Sequence, residues 1–184
     1  MIGKGKSISH GVAALEYDLA KEIDGQAAAT EIARHELYGC TGAEMVQEMK
    51  PYHIDFPNVK NNCLRFEVSP SIEESATFTD ADWAELGNDF MQRMGLANHQ
   101  YIIIRHSGTE SKKEQAHLHI LANRVSLSGE LYRDNWIGKK ATEAANAIAK
   151  ERNFVQSQDI GKVNKAEIKE AMDAHLLPEE QLTW

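Results

Sequence analysis

His117 and His119 stand one residue apart at the start of the apolar run HLHILANRV. On a β-strand that spacing sends both imidazoles to one side, roughly 6–7 Å apart along the chain, whereas on a helix they would diverge by about 200°. Two rings on one sheet face share a divalent ion when a third ligand arrives from elsewhere. His106 is the natural supplier: it ends QYIIIRH, and a hairpin joining 100–106 to 117–125 returns it beside the pair. The alternative for the pair is a hydrogen-bonded polar patch, and His106 on its own fits either reading. Glu67 belongs to the outward face of CLRFEVS, where it would act as acid, base or partner of a ligand, or stay a solvated strand glutamate. Asn123 shares the histidine face by period two and would orient a ligand or phosphate, or make a structural hydrogen bond. His10, His35, His53, His99 and His175 have no such company and read as surface or capping residues.

Three neutral nitrogens with open coordination positions would polarise a phosphodiester and stabilise charge developing on its oxygens. Nitrogen ligands favour Mn²⁺ or Zn²⁺ over Mg²⁺, although Mg²⁺ would serve where it is abundant. The nucleophile is then a water or a side chain. Tyrosine suits a product that must stay attached, because a phosphotyrosyl bond conserves the energy of the broken phosphodiester. The chain has five tyrosines, and spacing does not choose among them. Tyr38, Tyr101 and Tyr132 fall in or beside elements where ring packing is the plain explanation.

The elements that must position these groups follow from apolar periodicity. VAALEYDLA reads as a short helix with Val12, Leu15 and Leu19 on one face, and QAAATEIARHELY (26–38) reads as another. Thr41 caps GAEMVQEM, which Pro51 stops. CLRFEVS alternates, with Leu64, Phe66 and Val68 opposite Arg65 and Glu67, as a half-buried strand does. Thr79 and Asp82 form a capping box ahead of a Trp83, Leu86, Phe90 and Met94 stripe that Gly95 terminates. Two marked strands follow, at 100–106 and 117–125, then a turn and short third strand in SLSGELYRD and a helix over 138–153. From residue 63 the order β–α–β–β–(β)–α predicts an α+β fold, a mainly antiparallel sheet with helices packed on one face. The opening MIGKGKSISHG is polar and basic, and the tail is helical from about Asn164.

A chain of 184 residues, 42% hydrophobic and 26% charged, is a globular protein with one ordinary core. Cys40 and Cys63 lack a CxxC partner, which argues against a thiolate zinc site and for a reducing compartment. With no apolar leader and no membrane-length apolar stretch, a cytoplasmic location is expected. The net charge of −8 argues against a protein that coats DNA indiscriminately.

QYIIIRHSGTESKKEQAHLHILANRV resembles the metal-binding signature of conjugative and mobilization relaxases. The likeness extends to LRFEVSPS and FTDADWAELGNDFMQRMG before it, to GELYRDN after it, and to the opening GKGKSISHGVAALEYDLAKE. It covers most of residues 1–154 and is nearest the MobA-like mobilization branch of plasmids and integrating elements. The resemblance implies a palm shared with rolling-circle replication initiators, a histidine triad that holds the ion, and a tyrosine that cleaves one strand at a transfer origin. Residue by residue it makes Tyr17 the nicking tyrosine, His106, His117 and His119 the triad, and Asn123 and Arg124 the polar end of the strand. This sequence departs from many relatives in having Gln115 before the pair and the charged insert ESKKEQ, which leaves Glu67 or Glu114 as alternatives for the third ligand. Asp18 places an acid beside Tyr17, tolerable where the two helical neighbours point apart.

Residues 66–92 hold seven acids and no Lys or Arg, so the helix after Thr79 is expected to face solvent away from DNA. Lys4, Lys6, Arg105, Lys112, Lys113, Arg124 and Arg133 adjoin the site and would form a basic cleft with salt-sensitive DNA affinity. The expected function is a site-specific, metal-dependent single-strand DNA nickase and transesterase, with accessory mobilization proteins as further partners. The alternatives are a non-catalytic single-stranded DNA or transfer-complex module, and a metal-dependent phosphodiester hydrolase using water. The domain expected over 1–154 is followed by 155–184 as a helical extension or the start of a linker.

Overall fold

The computed structural model of the chain describes residues 1–108 and 115–159. Its elements in order are β1 (Ile2–Ile8), α1 (Gly11–Leu19), β2 (Glu22–Ile23), β3 (Gln26–Ala27), β4 (Ala29–His35) and α2 (Gly42–Met49), with a 3-10 turn at Lys50–His53. Then come β5 (Cys63–Ser69), α3 (Ile72–Ser75), α4 (Asp80–Arg93), β6 (His99–His106), β7 (His117–Ser126) and α5 (Ile137–Glu151). Five strands form one sheet in the order β1-β5-β7-β6-β4, every neighbouring pair antiparallel, and β2-β3 is a separate two-stranded ribbon. The fold is mixed α/β on an antiparallel sheet, as the sequence predicts.

β7 lies at the centre, so both of its faces need cover. Leu118, Ile120 and Ala122 point to one face and join Leu64, Phe66 and Ile103 under α4 and α5, which contribute Leu86, Phe90, Ala141 and Ile148. The two long helices after residue 63, α4 and α5, therefore share one face, as expected. The opposite face is covered by the upstream helices: Ile8, Cys63, Ile102, Ile104 and Leu121 pack against Leu15 of α1 and Met45, Val46 and Met49 of α2. Thr41 and Glu44 form the capping box of α2, and Thr79 and Asp82 that of α4. Gly95 takes its positive φ of 74° just after α4.

Several expectations change. Residues 26–38 do not form a helix; they supply β3 and β4. Ala, Glu and Arg give this stretch helix propensity, but β6 offers an open edge, and pairing there, with a register shift between Glu31 and Ala33, overrides it. The opening segment is the edge strand β1, paired from Ile2↔Ser69 to Ile8↔Cys63. In α1 the buried residues are Gly11, Ala14, Leu15 and Asp18, while Val12 is exposed, so the helix is rotated from the expected face. The third strand of SLSGELYRD reduces to a single bridge, Val125↔Leu131.

Gly3 and Gly5 let α5 lie flush on β1. A Cβ at Gly3 would come within 2.4 Å of the Ala141 carbonyl oxygen and 2.6 Å of the Ala145 Cβ, neither of which yields without moving the helix. Gly3→Ala should lower stability by about 1–3 kcal/mol, measured by urea denaturation.

Candidate functional site

The apolar face under α1 and α2 stops short of one end of the sheet, and imidazoles take over there. His106 and His117 are direct cross-strand partners, and His119 pairs with Ile104 on one side and Glu67 on the other. Ring centroids are 5.4 Å apart for His106–His117, 4.3 Å for His106–His119 and 4.9 Å for His117–His119. One nitrogen of each lies within 4.8 Å of the other two, a group able to hold a metal ion after small ring rotations.

The outer atoms of the rings are already oriented. His106 Nε2 donates to the Asp18 carbonyl oxygen at 2.8 Å, which keeps the lone pair on Nδ1. His117 Nδ1 donates to the Gln115 carbonyl oxygen at 3.1 Å, leaving Nε2 as the ligand atom, 3.1 Å from His119 Nε2. His119 Nδ1 lies 3.7 Å from Asp18 Oδ1 and 3.3 Å from Arg65 Nη2. Burial pushes the His119 imidazole down to about 2, helped by the neighbouring His106, His117 and Arg65, and burial also lowers His106. Neutral rings are the form that binds metal. The donor set, three imidazoles with backbone carbonyls behind His106 and His117 and the Asp18–Arg65 pair behind His119, fits a divalent transition ion.

Asp18 is the residue that sequence reasoning left out of the site. Its side chain is 1% exposed and accepts from Arg65 Nη2 at 2.5 Å and Nε at 3.1 Å. Burial raises its carboxyl above the ordinary range, and Arg65 works against that shift. Arg65 shares the outward face of β5 with Glu67, which was the visible signal for it. For Asp18 the signal was the 11, 14, 15, 18 spacing, obscured by the apolar Val12 and Leu19.

Rotating Asp18 inward turns Tyr17 out. Its ring is 59% exposed, with Lys21 Nζ 5.7 Å from the centroid. Tyr17, Lys21, Lys4, Glu67 and all three histidines line one cleft of about 370 Å³. Glu67 accepts from Lys4 Nζ at 3.0 Å on the cleft wall. A second hollow of about 200 Å³ leads from His119 past Arg65 to Lys4 and Lys6.

The structure separates Arg105, Arg124 and Asn123 from this cleft. Arg105 precedes His106 by one residue, so alternation sends it to the α4 face, where it pairs with Asp80 at 2.5 Å. Arg124 likewise turns to the far face and pairs with Asp134 at 2.6 Å. Asn123 is on the histidine face but wholly buried: it donates to Gln100 Oε1 and the Met49 carbonyl oxygen and bonds His53 Nε2 at 2.7 Å. These are structural hydrogen bonds, and His35 and His53 are half-buried and His99 buried, where the sequence predicts surface or capping residues. Arg133 is exposed in the turn before α5. Lys112, Lys113, Glu114 and His175 lie outside the described residues.

A family model described as relaxase, MobA/VirD2-like, nuclease domain, matches residues 17–154. Among solved structures, the conjugative relaxase TrwC in complex with oriT DNA, a metal-bound structure, is similar at 13% identity and a TM-score of 0.49, over 99% of this chain and 86% of that one. No curated protein matches the chain.

Calorimetric titration with Mn²⁺ should show saturable binding that His119→Ala removes and Asp18→Asn weakens by roughly 10–100-fold. A second expectation concerns the sealed end of the face. Burial lowers His53 and His99 below their ordinary 6.5, so their contribution to stability is complete above that value and is lost as pH falls through it. Urea midpoints should drop between neutrality and about pH 5, and less so in His53→Gln.

Proposed function

The chain belongs to the MobA/VirD2-like family of relaxase nuclease domains, and from that premise we propose that it nicks one DNA strand at a transfer origin through a phosphotyrosyl intermediate. The observation that supports this most directly is that an exposed tyrosine and three converging imidazoles line the same cleft. We take residues 1–154 as the nuclease unit and 155–184 as an extension.

His106, His117 and His119 would hold a divalent ion, Mn²⁺ or Mg²⁺ with Zn²⁺ as a third choice, which when bound supplies Lewis acidity to the scissile phosphate. Tyr17 is the nucleophile. Its Oη forms a bond to phosphorus, the P–O3′ bond breaks, and the departing 3′ oxygen takes up a proton from water. Glu67, held on the cleft wall by Lys4, accepts the phenolic proton. Lys4 and Lys21 bring positive charge to the cleft that receives the strand. Asp18 and Arg65 act behind the site, fixing the His119 ring and the inward turn of α1. The same bond chemistry run backwards would rejoin the strand, because the phosphotyrosyl linkage keeps the energy of the original phosphodiester.

The test is incubation with single-stranded origin DNA and Mn²⁺. A denaturation-resistant protein–DNA adduct is expected, abolished in Tyr17→Phe and in His119→Ala. Cleavage without an adduct would replace this mechanism with hydrolysis by water. Tight binding with no cleavage would make the chain a DNA-binding module.

A further inference from the structure

We propose that Trp136 is a stacking platform for a base of single-stranded DNA, a subsite at the outer edge of β1 and separate from the histidine cleft. The inference rests on the DNA-processing reading above and extends it to a residue that reading does not use.

Trp136 is 80% exposed, more than any other large apolar side chain among the described residues. Its backbone has φ 59° and ψ 27°, the left-handed region, which a bulky side chain rarely enters. The turn holds it there: Ile137 N–H donates to the Asp134 carbonyl oxygen, and Lys140 N–H donates to that of Trp136. Among the described residues the indole stacks on no ring and makes no hydrogen bond. A glycine would adopt this backbone without strain, and a ring this exposed adds little packing to the fold. Strain of this kind is retained where the side chain has work outside the fold.

Its surroundings say what the ring would meet. Ser7 donates to Asp134 at 2.6 Å and Gly138 sits against the Gly5 carbonyl, so the turn is pinned to β1 on both sides of Lys6. Lys6 and Arg133 are exposed, and no carboxylate pairs with either among the described residues. The nearby acid, Asp134, is already answered by Arg124. Lys6 also lines the hollow that reaches His119 past Arg65 and Glu67, on the other face of the same edge strand. An exposed aromatic face with Arg133 in its own turn, and Lys6 on the edge strand to which that turn is pinned, fits a polyanion whose bases are flat and unpaired. Tyr38, the next most exposed aromatic among the described residues, donates to Glu36 and lies beside Glu48, a setting that repels phosphate.

The experiment measures binding of a fluorescein-labelled oligothymidylate by anisotropy at low salt, together with thermal melting, for wild type, Trp136→Gly and Trp136→Phe. Trp136→Gly should bind roughly 5- to 100-fold more weakly while melting no lower than wild type, and Trp136→Phe should keep most of the affinity. Wild-type intrinsic fluorescence should also quench on binding more than that of Trp136→Phe. Equal affinity of Trp136→Gly and wild type overturns the platform and leaves the DNA reading standing. No binding of single strands by the wild type overturns both.

Discussion

A carboxylate with almost no solvent contact survives only beside a cation, and in this protein that requirement fixes how α1 meets the sheet. Asp18 reaches Arg65 from the helix, and its own carbonyl receives His106. Removing one partner of such a pair typically costs about 3–5 kcal/mol, so the rotation of α1 is strongly held. Three consequences follow from that single contact. Tyr17 must point outward, His119 has an acid behind its Nδ1, and the face beyond α1 stays open.

The sheet supplies the complementary rule. β7 alternates Leu118, Ile120 and Ala122 into the α4–α5 core with His117, His119, Leu121 and Asn123 on the other side. Along that second side the surroundings change from open cleft, to apolar packing under α1 and α2, to a sealed polar network around Asn123. One strand thus carries reactive, packing and structural positions in sequence, and only the cover above each decides which it is.

Much of this was legible in the residues. Alternation in CLRFEVS and the short apolar runs of QYIIIRH and HLHILANRV predict the three inner strands, and the shared direction of His117 and His119 with His106 beside them follows from hairpin geometry alone. Capping chemistry marks α2 and α4 for the same reason: Thr, Glu and Asp at those positions satisfy specific backbone N–H groups. What was illegible depended on partners distant in sequence. β4 has a strand neighbour on one side only, so its alternation is faint beneath helix-forming residues. In β1 the glycines answer α5 and the lysines face the open side, which hides both patterns. Arg105 and Arg124 are cationic and close in sequence to the site, yet alternation turns them to acids on the far face. Asn123 is one of a correctly aligned series, but its burial depends on the turn at Lys50–His53.

The pairing of His106 with His117 has a further meaning for how the strands find each other. Side chains repeat every second residue, so a slip of one position between β6 and β7 would carry His106 to the α4 face and leave its partners behind. Three-ring convergence therefore exists in the native alignment and in no neighbouring one. An ion that needs all three nitrogens would bind only correctly aligned chains and, by mass action, draw the population towards them. The histidine centre is in that sense also a check on the register of the sheet that builds it.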